Sequence, residues 1–251
     1  MTTVVSPTHP VLPVKAIVFV LEHVLIPSPH EKNPPSSEDI RAWLSEMRDY
    51  ATSHQMEYFV ATGYTEDVAH QKLSAAGLTD FFPKKHVWSV TPAYLDSKDP
   101  VDRKRYEDRC QGNEECLDEF ARQVYLSQYL ESHSLRPSQV VVVGHDYWFD
   151  GFYTRRFSNV NMIFIEAALS TRGSPAEDKV GGVWYGARSL SSLRPFLEGK
   201  VHVPDYSRLD SWVSVVLTEA LFGGNGIPTL KKVVIQRKKD DAGNDFSALV
   251  K

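Results

Sequence analysis

Residues Val140–Asp150 read VVVVGHDYWFD. Four consecutive valines followed by Gly144 describe a strand buried on both faces and closed by a tight turn. β-Branched side chains suit such two-sided burial, and an unbroken apolar run marks a central parallel strand. His145, Asp146 and Asp150 follow just past its carboxyl end. Ligands of open α/β sheets sit outside the carboxyl ends of strands, so these polar residues mark the rim where chemistry is expected.

Upstream, Lys15–Leu21 (KAIVFVL) is a second apolar, β-branched run and reads as the first strand of the chain. Four prolines make Pro27–Pro35 a loop. Ser36 or Ser37 then caps a helix running to about Gln55, with Ile40, Trp43, Leu44, Met47 and Tyr50 on one apolar face. Glu57–Ala61 is a strand closed by Thr62-Gly63, and Thr65 is placed to cap a helix over Glu66–Ala76 that Gly77 ends. Val87–Val90 is a third strand. Thr91–Glu115 is strongly charged and reads as a surface excursion with one short helix, and Cys116–Ser132 reads as a full helix.

Downstream of Asp150 the pattern predicts a helix containing Tyr153 and Phe157, a strand over Met162–Ile165, a loop over Arg172–Gly182 and a helix over Ser189–Leu197. Asp210–Phe222 reads as an amphipathic helix ended by Gly223-Gly224, and Lys231–Gln236 as an edge strand. Alternation of strands and helices predicts an α/β fold: a doubly wound, Rossmann-like, mostly parallel sheet with helices on both faces and a small cap or none. The expected organisation is a core over residues 14–198, with 91–115 as an excursion that could form a small cap. A C-terminal helix and edge strand over 199–238 and a disordered tail over 239–251 complete it.

Composition narrows the function classes. With 251 residues, 42% of them hydrophobic, the chain can bury a sizeable core. A net charge of −4, with both signs mixed, offers no electrostatic case for nucleic acid or an anionic membrane surface. No apolar run approaches the length of a membrane span, and the N-terminus lacks the pattern of a secretory signal, so the expected location is cytoplasmic. Cys110 and Cys116 are then two incidental thiols, without the further soft ligands that a metal site would need. Neither a Gly-x-Gly-x-x-Gly after the first strand nor a Gly-x-Ser-x-Gly elbow is present, which argues against a dinucleotide site and an α/β-hydrolase nucleophile.

Three strand ends, Phe19–Leu25 (FVLEHVL), Ala61–Gly63 (ATG) and Val143–Asp150 (VGHDYWFD), together resemble the haloacid dehalogenase-like superfamily, mostly phosphohydrolases. The resemblance covers roughly Val14 to Leu197. That family's first motif is Asp-x-Asp-Gly-x-Leu after a buried strand; the same frame here is Val20-Leu21-Glu22-His23-Val24-Leu25. Thr62-Gly63 is similar to the second motif. Gly144-His145 with Asp150 is similar to the fourth, Gly-Asp-x-x-x-x-Asp, with histidine in place of the first aspartate. The third motif is a lysine between these two, for which Lys84, Lys85, Lys98 and Lys104 are all candidates.

The resemblance implies an aspartate nucleophile, a second aspartate as general acid and base, and Mg²⁺. Val20 cannot attack phosphorus, Glu22 has a longer reach than aspartate, and His145 replaces a carboxylate ligand. Glu22, Asp146 and Asp150 are the remaining weak candidates for a metal, with Mg²⁺ the cofactor if activity persists. His23, Gly63, Gly144 and Asp146 line the expected pocket rim. His145 is expected to cap locally, Asp146 to act as an N-cap or turn residue, and Asp150 to anchor loops by accepting backbone N–H bonds. Tyr147, Trp148, Phe149, Phe152 and Tyr153 could pack under a loop or recognise a ligand, and Arg155 and Arg156 could hold an anion. The leading expectation is a binding or regulatory module that has lost the phosphatase chemistry. The alternatives are an atypical metal-dependent phosphohydrolase and a structural subunit of an oligomer or complex.

Overall fold

The computed structural model describes residues 13–111, 113, 116–118, 120–146, 150, 151, 154, 158, 160–168, 183–198, 213–222 and 228–237. Expectations for Tyr147–Phe149, Phe152, Tyr153, Arg155–Phe157, the loop over 172–182 and the tail over 239–251 lie outside them.

Six parallel strands form one sheet in the order β3-β2-β1-β4-β5-β6. They are β1 (Ala16–Val20), β2 (Glu57–Thr65), β3 (Val87–Val90), β4 (Val140–Gly144), β5 (Asn161–Ile165) and β6 (Val183–Gly186). Every residue of β1, β4 and β5 is buried, which is why these strands read as continuous apolar runs without alternation. Val18 pairs with Phe59 and Phe19 with Val60, so Phe19 and Phe59 project from opposite faces of the sheet. Phe19 meets Trp43 edge-on at 5.5 Å, and Phe59 meets Tyr129 at 5.0 Å. Those contacts place α1 (Ser37–Ser53) on one face and α5 (Ala121–Ser132) on the other.

Ser36 caps α1 through a reciprocal pair: its Oγ accepts from the Asp39 N–H, and its own N–H donates to the Asp39 carboxylate. α2 (Glu66–Ala75) starts at Thr65, whose side chain makes no capping bond, and Gly77 follows with φ +67°, a conformation that suits glycine. Short α6 (Leu190–Leu197) is capped by Ser189, whose Oγ accepts from the Ser192 N–H.

Four expectations need correcting. The 91–115 excursion holds two helices, α3 (Pro92–Ser97) and α4 (Pro100–Cys110), each opened by a proline at its first position. It is also more than surface: Val90, Tyr94, Tyr106, Cys116 and Ala121 form a second apolar cluster. α5 begins at Ala121 instead of Cys116, because Asp118 uses its carboxylate to accept the Phe120 N–H and its carbonyl to accept the Ala121 N–H. Cys110 and Cys116 are joined in a disulfide and are not free thiols.

The fourth correction concerns the second of the two units into which the chain divides, residues 205–251. The expected helix over Asp210–Phe222 is strand β7 (Val213–Phe222), paired antiparallel with β8 (Pro228–Arg237). Val213, Val215, Val216 and Thr218 are β-branched and lose rotamer freedom in a helix, so propensity favours the strand where apolar spacing is ambiguous.

Candidate functional site

The strand order reverses between β1 and β4: the chain winds outward from β1 through β2 to β3, then returns to β4 on the other side. The carboxyl ends of β1 and β4 therefore flank the topological switch point, where α/β sheets open a crevice. Glu22 and His23 lie there, along with Thr62, His145, Asp146 and Asp150.

Asp150 is the hub of this rim and is 3% exposed. Its Oδ2 accepts the backbone N–H groups of His145 and Asp146 at 2.8 and 2.9 Å. Its Oδ1 accepts from Arg122 Nη1 at 2.7 Å. Nδ1 of His145 lies 2.9 Å from Oδ2, an ion-pair distance without the alignment of a hydrogen bond. Gly144 makes this packing possible, since a Cβ there would stand 2.6 Å from the Asp150 Cβ. Burial alone would raise the Asp150 pKa, but Arg122 and His145 overcome it and hold the carboxyl well below the usual range. Burial likewise opposes protonation of His145, yet the charge of Asp150, helped by Asp146 and Glu22, leaves its pKa raised.

Arg122 was not among the sequence candidates. It sits in the first turn of α5 and is the cation between the second and fourth motif positions that reaches the cluster. The four lysines go elsewhere. Lys84 pairs with Glu66 on the surface, Lys98 pairs with Asp118 at 2.8 Å, and Lys85 and Lys104 are exposed. Gln123, next along α5, donates to Thr154 at 2.9 Å and accepts from Ser158, anchoring α5 to the segment beyond Asp150.

On the β1 side Val20 is buried at 2% exposure and offers no polar atom. Glu22 accepts a hydrogen bond from the Thr62 hydroxyl, whose oxygen in turn accepts the Tyr64 N–H at 3.1 Å. Withdrawal from water pushes the Glu22 pKa up against the effect of Thr62. His23 has φ +60°, the left-handed region, at the position where the resembled motif carries glycine. A non-glycine residue there costs on the order of 1–2 kcal/mol. Arg188, a second residue that the sequence reading passed over, holds the turn in place. It donates to the carbonyls of His23 and Val24 at 2.6 and 2.8 Å and forms a two-pronged, buried pair with Glu31. The His23 ring tilts against that of His145 at 4.4 Å, and burial, then His145, lowers its pKa.

No family model and no curated protein matches the chain. Solved structures are similar to it. An uncharacterized protein from Listeria monocytogenes serotype 4b matches at TM-score 0.47 and 10% identity, over 75% of this chain and 100% of that one. The haloacid dehalogenase-like hydrolase protein yhjK from Bacillus subtilis matches at 0.46 and 8%, over 75% and 89%. NagD from E. coli K-12 matches at 0.42 and 11%, over 71% and 98%.

The donor set does not suit Mg²⁺, which demands near-octahedral oxygen ligands. Val20 supplies none, His145 presents a nitrogen favoured in its cationic form, and both Asp150 oxygens are already engaged. Among the described residues no group of three or more His, Cys, Asp or Glu side chains is arranged to hold a metal. What the cluster can do is neutralise its own charge: the Arg122 guanidinium and, when protonated, the His145 imidazole stand beside the Asp150 carboxylate.

Proposed function

We propose that this chain is a haloacid dehalogenase-like domain that no longer carries out aspartyl-phosphate chemistry and serves as a binding or regulatory module. The observation that carries this reading is the engagement of both Asp150 oxygens, by Arg122 on one side and the His145 and Asp146 N–H groups on the other. A metal would have to compete with the Arg122 guanidinium for this carboxylate, and the buried Val20 provides no nucleophile. His145, whose protonation Asp150 favours against burial, stands where the resembled motif has a carboxylate.

The test is an aryl phosphate assay with Mg²⁺, run beside thermal melts with and without the ion. The expected result is no turnover above the blank and no Mg²⁺-dependent shift in Tm. Mg²⁺-dependent turnover that disappears in Asp150→Ala or Glu22→Ala would overturn the proposal and favour the atypical phosphohydrolase. Restoring the carboxylates with Val20→Asp and His145→Asp should be insufficient for Mg²⁺ binding while Arg122 continues to occupy Asp150.

A further inference from the structure

The Cys110–Cys116 disulfide lies outside the charge cluster, yet a short path joins it to the rim. Cys110 is the last residue of α4, and Cys116 is 8% exposed within the second apolar cluster. Two residues on, Asp118 donates its N–H to the Gly63 carbonyl at 2.8 Å. The approach is tight, since a Cβ on Gly63 would stand 2.9 Å from the Asp118 nitrogen. Gly63 adjoins Thr62, whose hydroxyl holds Glu22.

Asp118 is itself clamped: one carboxylate oxygen accepts from Tyr94 at 3.0 Å and pairs with Lys98 at 2.8 Å. Arg109, beside Cys110, donates to the Leu117 carbonyl at 2.6 Å. The bridge thus ties the end of α4 to a short segment that closes over the carboxyl end of β2. Both sulfur-bearing residues also line an open pocket of about 540 Å³, with Thr65, Val68, Gln71 and Tyr106 among its other walls, so a small dithiol has a route to them.

We propose that Cys110–Cys116 is a redox latch: closed, it holds residues 116–118 against Gly63; reduced, it releases them and loosens the Thr62 end of β2. The reductant is a dithiol. Its thiolate attacks one sulfur of the bridge, expelling the other as a thiolate that takes up a proton. The second thiol of the reductant then displaces the remaining cysteine, so two electrons and two protons pass to the pair and the dithiol becomes a disulfide. A reducing compartment would keep the latch open and an oxidising one would keep it closed.

The test is hydrogen exchange by mass spectrometry on the full chain, oxidised and after native incubation with dithiothreitol, with maleimide tagging to count released thiols. Reduction should speed exchange on the order of tenfold in residues 116–124 and in 58–66, and leave 140–144 unchanged. The Cys110→Ser, Cys116→Ser double variant should match the reduced protein and ignore dithiothreitol. Three results would overturn the latch: a bridge that native dithiothreitol does not open, faster exchange confined to the neighbourhood of the cysteines, or loss of protection in 140–144 as well. The last would make the bridge a staple of the whole fold.

Discussion

Arg122 Nη1 lies 2.7 Å from Asp150 Oδ1, and the two side chains keep only 7% and 4% of their exposure. Each charge offsets a large part of the cost of burying the other. The pair also joins the first turn of α5 to the segment beyond β4, so it fixes the rim as well as neutralising it.

Removing one partner should therefore cost far more than removing both. Arg122→Met removes the guanidinium from the buried Asp150 carboxylate, leaves His145 as its remaining charged partner, and should lower unfolding free energy by about 3–5 kcal/mol. Asp150→Asn in the same chain keeps an acceptor for the His145 and Asp146 N–H groups and should recover a large part of that loss. Urea denaturation of the two single variants and the double variant measures the coupling; additive losses would show that the pair is not a unit.

The His145 pKa is raised in the fold, with burial opposing protonation and Asp150 outweighing it. A raised value means a stabilising contribution that is complete below the unfolded pKa of about 6.5 and fades as pH climbs through the folded value. His145→Gln should consequently lower the urea midpoint more at about pH 6 than at about pH 9. His23, 4.4 Å away, is shifted in the opposite direction, so the same comparison should be repeated in a His23→Gln background. An equal loss at both pH values would mean that the imidazole acts only by packing.

Glu22 is raised for a different reason, its withdrawal from water. Here too the sign places the favourable contribution at low pH, and ionisation weighs against the fold as pH rises above the unfolded value of about 4.3. Glu22→Gln retains an oxygen to accept from Thr62 and cannot ionise. It should raise the urea midpoint near pH 8 and leave it almost unchanged near pH 4.5, as linkage requires. A lower midpoint near pH 8 would instead assign the carboxylate an attractive role towards Arg122.

By itself the sequence determined five strands of the six-stranded sheet and its parallel character; β6 (Val183–Gly186), at the edge, was not among the expected elements. β1, β4 and β5 announce themselves because strands buried on both faces must be apolar at every position, a property of consecutive residues that needs no knowledge of partners. Capping at Ser36 and termination at Gly77 were legible for the same reason, being local backbone chemistry. The rim residues Glu22, Thr62, His145 and Asp150 could be placed once strand ends were known. The C-terminal hairpin was misread because Val213–Phe222 satisfies helical and strand spacing alike, and pairing with Pro228–Arg237 decides between them.

Only the tertiary structure decided what neutralises the rim. Arg122 meets Asp150 across 28 positions of sequence, and Arg188 meets Glu31 across 157. Nothing around either arginine distinguishes it from a solvated surface residue, because the burial that gives it a role is created by other segments closing over it. A charge's worth depends on the dielectric and the partners around it, and both are properties of the folded chain.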